Sequence, residues 1–309
     1  MLFLDKMSRL ATVLCGIPLQ NPVIAASGTY GYGIEFEKAA DLNAIGGIVV
    51  KGLSREPMPG NQPPRLWETE AGMINSIGLQ NIGVRAFVKE KLPQLRSYRT
   101  AIFANVFGYE PEDYAEVIRV LEDAEGIAGY ELNVSCPNTK HGGIYFSSDP
   151  ALLGEVVSLV RPLARRPLIV KLSPNVARIQ PLAQAAEAAG ADAISLVNTF
   201  LSLAIDARTR KPRLGAGFGG LSGPAIKPIA LRMVYEAAQA VRIPVVGLGG
   251  IRNGVDAAEF LIAGASAIEA GTVNFWDPEA PCRIARELDQ FLKQEKINNV
   301  KQLVGTLQI

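Results

Sequence analysis

With 309 residues, 48% of them apolar, the chain is long enough to bury a large core without staples. Its 31 basic and 30 acidic side chains leave a net charge of +1, which argues against a general nucleic-acid or membrane-surface binder. Cys15, Cys136 and Cys282 are far apart and form no CxxC pair, so a disulfide framework, a zinc site or an iron–sulfur cluster within the chain is not expected, and a reducing cytosol suits the pattern.

Met1-Leu-Phe-Leu-Asp5 is too short and too soon charged to be a signal peptide, and no run approaches the roughly 18 apolar residues of a membrane helix. A cytoplasmic protein is expected. Apolar, β-branched runs then recur. Pro22–Ser27 and Gly47–Lys51 read as strands, followed by a long stretch, Gly52–Ile82. Ala101–Phe107 reads as a strand and Pro111–Glu122 as a helix opened by proline and acids. Strands at Tyr130–Ser135, Leu168–Ser173 and Ala193–Asn198 alternate with helices at Pro150–Leu163 and Val176–Ala189, the latter stopped by Gly190. A second long stretch, Thr199–Gly223, precedes a helix at Pro224–Val241. The strands Val245–Leu248 and Ala267–Ala270 and the helices Val255–Ala263 and Ala280–Lys293 complete the series. Near-continuous apolar strands are buried on both faces, as in a parallel sheet. About eight strand–helix units in one chain predict a (β/α)₈ barrel as a single domain over residues 1–309, with a doubly wound sheet as the alternative. The two long stretches are expected to be functional loops on the barrel's carboxyl-terminal face.

Chemistry concentrates at the strand exits. Tyr130–Ser135 runs straight into Cys136, then Pro137, Asn138 and Gly142-Gly143, and the chain's one histidine, His141, lies in the same segment. A thiol at a barrel strand exit is placed for catalysis, and a modest lowering of its pKa would make it a general base. Gly249-Gly250 after the seventh strand and Gly271-Thr272 after the eighth offer backbone N–H groups suited to a phosphate. Gly215-Ala-Gly217-Phe-Gly219-Gly220 spells a dinucleotide fingerprint but follows no strand, so it reads as a flexible glycine-rich loop rather than a nicotinamide site. Lys51 and Lys171 end apolar runs, where an ammonium needs a partner, expected to be a ligand anion or an electron-rich ring. Asn75, Asn105, Asn133 and Asn198 recur near strand exits, and carboxamides match the N–H and C=O edge of a cyclic imide or a flavin ring.

These pieces resemble dihydroorotate dehydrogenase. The resemblance rests on Ala25-Ala-Ser27-Gly28, Val50-Lys51-Gly52, Asn75-Ser-Ile-Gly-Leu-Gln-Asn81, Asn105, Asn133-Val-Ser-Cys136-Pro-Asn138, Lys171-Leu-Ser-Pro174, Asn198-Thr199, Ser222-Gly223-Pro224, Gly249-Gly250-Ile251 and Gly271-Thr272, in the family's order over nearly the whole chain. It implies a barrel with non-covalent FMN held by Ser27, Lys51, Gly52, Asn105, Asn133 and Lys171, and by Val197, Gly223, Gly249, Gly250, Gly271 and Thr272. It implies a pyrimidine site of Lys51, Asn75, Ser76, Ile77, Gly78 and Leu79, with Asn133, Asn198 and Thr199. Cys136 would take a proton from C5 of dihydroorotate while hydride leaves C6 for the flavin. Cysteine in this role is similar to the soluble class 1 enzymes, and Gln80 with its surroundings looks most like the B subtype. That implies a homodimer joined to a separate FAD and [2Fe–2S] subunit that reduces NAD, a heterotetramer with no metal on this chain. A fumarate-using A-subtype enzyme and a dihydropyrimidine dehydrogenase are the alternatives.

Overall fold

In the computed structural model of the chain, residues 8–135 and 146–309 are described. Eight strands form a closed barrel: β1 (Val23–Ala25), β2 (Gly47–Val49), β3 (Ala101–Val106), β4 (Gly129–Asn133), β5 (Leu168–Lys171), β6 (Ala193–Leu196), β7 (Val245–Leu248) and β8 (Ala267–Ala270). Neighbours in sequence are neighbours in space, all pairs are parallel, and β8 closes onto β1 through Ile268↔Val23. Helices α1 (Pro111–Glu122), α2 (Pro150–Val160), α3 (Gln180–Ala188), α4 (Lys227–Ala240), α5 (Gly254–Ile262) and α6 (Ala280–Gln294) follow β3 to β8 in turn. The expected (β/α)₈ barrel is therefore the observed one.

Local chemistry sets these elements. Helix α1 starts at Pro111, whose missing N–H costs nothing there, and Asp113 accepts from the Glu110 backbone N–H at 3.2 Å. Asn253 caps α5 by accepting from Asp256 N at 2.8 Å. In α6 the buried residues Ile284, Ala285, Leu288 and Leu292 recur at helical spacing and face the core. No helix among the described residues is long and apolar enough to cross a membrane.

The strands carry two cores. Their outward residues pack against the helices in one large cluster that includes Val23, Ile48, Ile102, Leu132, Val170, Ile194 and Ile268. The inward residues Ile24, Val49, Phe103, Ile169, Ala193, Val246 and Ala267 form a second cluster with Leu14 and Leu19. Those two leucines belong to an antiparallel hairpin, Thr12–Leu14 with Ile17–Leu19, which plugs the amino-terminal end of the barrel. Among the described residues, that leaves the carboxyl-terminal end for a ligand.

Several sequence expectations need correction. The strands are shorter than the apolar runs: β1 lacks Pro22 and Ala26-Ser27, β2 ends before Val50-Lys51, and β5 ends at Lys171. Helix α3 begins at Gln180 rather than Val176, and Pro224–Ile226 is a 3₁₀ turn before α4. Between β1 and β2 the described chain makes 3₁₀ turns at Ile34–Phe36 and Leu42–Ala44 in place of an α-helix. The two long stretches are not plain loops. Leu66–Thr69 and Gly72–Asn75 from the first combine with Phe200–Leu203 and Phe218–Ser222 from the second in a four-stranded antiparallel sheet. The glycine-rich segment Gly215–Gly220 thus ends inside a strand, where Gly220 opposes Asn75. Glycines allow this close approach, since a Cβ on Gly219 would lie 2.7 Å from the Asn75 carbonyl oxygen.

Candidate active site

Side chains in a strand alternate between faces, so the residue two beyond each inward apolar residue also points inward. Along β3 this step leads from Phe103 to Asn105, along β5 from Ile169 to Lys171, along β6 from Ala193 to Ser195, and along β8 from Ala267 to Glu269. Strand β4 contributes Glu131. The apolar lower layer is therefore capped by a polar layer. Lys171 Nζ lies 3.3 Å from Glu131 Oε1 and 3.1 Å from Glu269 Oε2. Ser195 Oγ donates to Glu131 Oε2 at 2.8 Å, and Asn105 Nδ2 donates to Glu131 Oε1 at 2.6 Å. All five side chains are buried.

This arrangement corrects one expectation. The sequence points to a ligand as the partner of Lys171, but the protein itself supplies two carboxylates. Their attraction holds the Lys171 ammonium above its usual pKa against the opposing effect of burial. Glu131 and Glu269 escape sequence reasoning because each sits inside an apolar strand. The signal is present as alternation, with Glu131 two residues before Asn133 and Glu269 two residues after Ala267.

Above the polar layer opens a cavity of about 970 Å³. It gathers every described residue that the sequence marks for the site. Ser27, Lys51, Gly52, Asn105, Asn133 and Lys171 line it from the first five strand exits, and Val197, Asn198 and Thr199 from the sixth. Gly249, Gly250, Gly271 and Thr272 line it from the last two, with Gly223 beside them. Asn75, Ser76, Ile77, Gly78 and Leu79 reach it from the antiparallel sheet and the segment beyond, so Asn75 sits outside the barrel strands. Cys136 and His141 lie outside the described residues. Of the other cysteines, Cys15 is pushed up to about 12 by burial and Asp192, and Cys282 to about 11, chiefly by burial. Neither is primed as a base.

The lining is held by its own hydrogen bonds. Ser27 Oγ donates to Val50 O at 2.9 Å, Thr272 Oγ1 to Ser222 Oγ at 2.8 Å, and Asn75 Nδ2 to Gly220 O at 3.3 Å. Asn198 Nδ2 reaches Asn133 Oδ1 at 3.4 Å. Ser76 Oγ and Asn105 Oδ1 are buried without a partner among the described residues. Lys51 has no carboxylate partner there either, and burial together with the nearby Arg65 charge lowers its pKa. Arg65 is itself held by Gln80, which accepts from its Nη1 at 2.9 Å. A cation left this way favours an anionic or electron-rich ligand.

The residues present fit FMN. The cavity has room for a flat tricycle and a small heterocycle, near the upper end of ordinary ligand sites. The unpartnered Asn105 oxygen offers an acceptor to a ring N–H. At the phosphate end, the backbone N–H groups of Gly250, Gly271 and Thr272 donate to no other described residue. Gly249 and Gly250 have φ of +127° and +80°, and a Cβ on Gly250 would come 2.8 Å from Gly223 O. Gly250→Ala is expected to weaken FMN binding about tenfold or more by moving this turn, roughly 1.4 kcal/mol, measured by fluorescence titration of the flavin-free protein.

Comparison with known proteins agrees with this geometry. The family model described as dihydroorotate dehydrogenase matches residues 9–292. A Solibacter usitatus chain, provisionally named dihydroorotate dehydrogenase A (fumarate), is 73% identical over 299 residues, covering 97% of this chain and 98% of its own. A Citrifermentans bemidjiense chain, named the catalytic subunit of dihydroorotate dehydrogenase B (NAD(+)), is 50% identical over 300 residues with the same coverage, 97% and 98%. The fold matches a dihydroorotate dehydrogenase of Eimeria tenella, solved with ferulenol, at a TM-score of 0.82 and 20% identity, covering 98% of this chain and 90% of that one. The chain belongs to the dihydroorotate dehydrogenase family, FMN-dependent oxidoreductases that convert dihydroorotate to orotate in pyrimidine biosynthesis.

Proposed function

We propose that the cavity at the carboxyl end of this barrel binds FMN and (S)-dihydroorotate together and oxidises the latter to orotate. The observation that carries the reading is the convergence of Lys51, Asn75, Asn133 and Asn198 on one cavity whose other end is lined by Gly249, Gly250, Gly271 and Thr272. FMN, when bound, supplies the hydride acceptor. Ser27, Gly52, Asn105, Val197 and Gly223 would complete its site, together with Lys171, which lines the same cavity. Lys51 would serve both ligands. Asn75, Asn133, Asn198 and Thr199 pair with the amide edge of the substrate, and Ser76, Ile77, Gly78 and Leu79 line its site. Held in this way, the substrate is presented to the base in a reactive pose, a source of large rate gains. Cys136 is the base and removes the C5 proton, which the neighbouring carbonyl acidifies. The uncompensated charge of Lys51 favours the carboxylate of dihydroorotate over the neutral dihydrouracil of a dihydropyrimidine dehydrogenase.

The test is the visible spectrum before and after anaerobic dihydroorotate. We expect yellow protein with one FMN per chain, bleached by dihydroorotate and not by dihydrouracil. Colourless protein, or colour indifferent to dihydroorotate, would overturn the reading.

For the electron outlet, we infer a cytoplasmic homodimer joined to a separate FAD and [2Fe–2S] subunit that reduces NAD. The names of several relatives at about half identity, catalytic subunits of NAD(+)-linked enzymes, support a partner subunit and NAD as the acceptor. The 73% identical Solibacter chain favours a second reading, in which fumarate takes the electrons directly. A brown, iron-containing complex on co-purification supports the first. A yellow protein whose colour fumarate restores after bleaching supports the second.

A further inference from the structure

The polar layer beneath the cavity holds more acid than it needs. Two carboxyl groups, Glu131 and Glu269, face one ammonium, Lys171, with all three buried. Both acids sit on the same ammonium, 3.3 and 3.1 Å from Lys171 Nζ, so each acts on the other's ionisation. With every group ionised, the layer would carry one uncompensated negative charge out of contact with water, an arrangement that burial strongly disfavours. A proton retained between the acids removes that charge and turns a repulsion into a hydrogen bond.

The two acids are not equivalent. Glu131 accepts from Asn105 at 2.6 Å and from Ser195 at 2.8 Å in addition to Lys171, all donors that favour its ionised form. For Glu269 the described side-chain partners are Lys171 and Glu131 alone, and nothing else there favours its charge. Burial and the neighbouring Glu131 charge raise Glu269 well above the usual carboxylate range, while Glu131 is lowered. Among the described residues, no other charged side chain from the packed elements acts on this group.

We propose that Glu269 stands protonated beneath the cavity at neutral pH, hydrogen-bonded to Glu131, and that its proton sets, through Lys171, the charge presented to the cofactor ring. Glu269 is thus a positioning residue of the redox site. The proposal rests on the FMN reading above. Its consequence is a proton linkage. Reduction of a cofactor held in the cavity that Lys171 lines would add electron density near Lys171 and so raise the affinity of Glu269 for its proton. Over the pH range between its affinities in the oxidised and reduced protein, reduction of the cofactor is accompanied by uptake of a further proton at Glu269.

The experiment is a potentiometric titration of the bound flavin against pH in the wild type, Glu269→Gln and Glu131→Gln. Gln mimics the protonated acid. At neutral pH, Glu269→Gln should match the wild-type potential. As pH rises, the wild-type potential should fall more steeply, because Glu269 ionises and adds negative charge below the ring, whereas Glu269→Gln should lack this extra fall. In Glu131→Gln, Glu269 is left as the sole counter-charge of Lys171 and ionises, so the alkaline inflection should vanish there too. A second measurement needs no variant. The infrared difference spectrum of the wild type on reduction should show the carbonyl stretch of a protonated carboxylic acid that shifts in D₂O. Absence of that band, or a Glu269→Gln protein whose potential tracks the wild type at every pH, overturns the proposal. Failure of the FMN reading looks different, because no bound flavin would then be available to titrate.

Discussion

Cys136→Ala is expected to bind FMN with unchanged stoichiometry and to lose about 10²- to 10⁴-fold in the rate at which dihydroorotate bleaches it, the usual contribution of a positioned base. The expectation follows from what the described cavity offers in its place. Lys171 is held charged by its carboxylate neighbours and has no lone pair to accept a proton. Glu131 and Glu269 are both bonded to Lys171 in the layer below. Cys15 and Cys282 have raised pKa values and belong to other parts of the fold. That leaves Lys51, whose lowered pKa makes it a competing base. Cys136 follows Asn133 by three residues, and Asn133 lines the cavity. A free thiol ordinarily titrates near about 8.5, so a wild-type rate that rises through mildly alkaline pH is expected, moved to higher pH in Cys136→Ser. Anaerobic stopped-flow reduction measures all three proteins. If Cys136→Ala is bleached at the wild-type rate, the base is elsewhere, and Lys51→Met becomes the next variant to measure.

How far the sequence discloses this site depends on the kind of signal each residue leaves. Lys51, Asn105, Asn133 and Lys171 interrupt or end apolar runs, so they stand out, and all four line the cavity. Gly249, Gly250 and Gly271 are visible as glycines at strand exits. The antiparallel sheet is not, because its pairing joins Gly72–Asn75 to Phe218–Ser222 across 145 residues at the Asn75–Gly220 contact. No local pattern encodes a contact of that separation. Glu131 and Glu269 escape for another reason. Strands sheathed by helices outside and filled by side chains inside read as uniformly apolar, which masks their alternation. A charge inside such a run is then attributed to a ligand, when its neutralising partner stands on another strand. Only closure of the barrel brings β8 close enough to β4 and β5 for Glu269 to meet Lys171.

That closure makes Lys171→Met the variant with the largest expected effect on stability. Methionine fills much of the space left by the lysine stem but removes the single positive charge of the layer. Breaking a buried ion pair from one side costs about 3–5 kcal/mol, because the remaining charge is left without compensation. Here two carboxyls remain, so the loss should depend strongly on pH. Without Lys171 both acids are desolvated and repel each other, which raises their folded-state pKa values above the unfolded value of about 4.3. The folded protein then binds more protons than the unfolded one as soon as pH exceeds that value. Stability is fully present below it and falls as pH rises through the folded-state values. Lys171→Met should therefore lie nearest the wild type in acid and furthest from it at neutral and alkaline pH, as read from denaturant midpoints at a series of pH values. Adding Glu269→Gln to Lys171→Met removes one of the two acids and should recover part of the loss, since residues in one buried network do not act additively. A loss that is the same at every pH, with no recovery in the double variant, would mean that Lys171 stabilises the barrel by packing and that its two carboxylate neighbours do not depend on its charge.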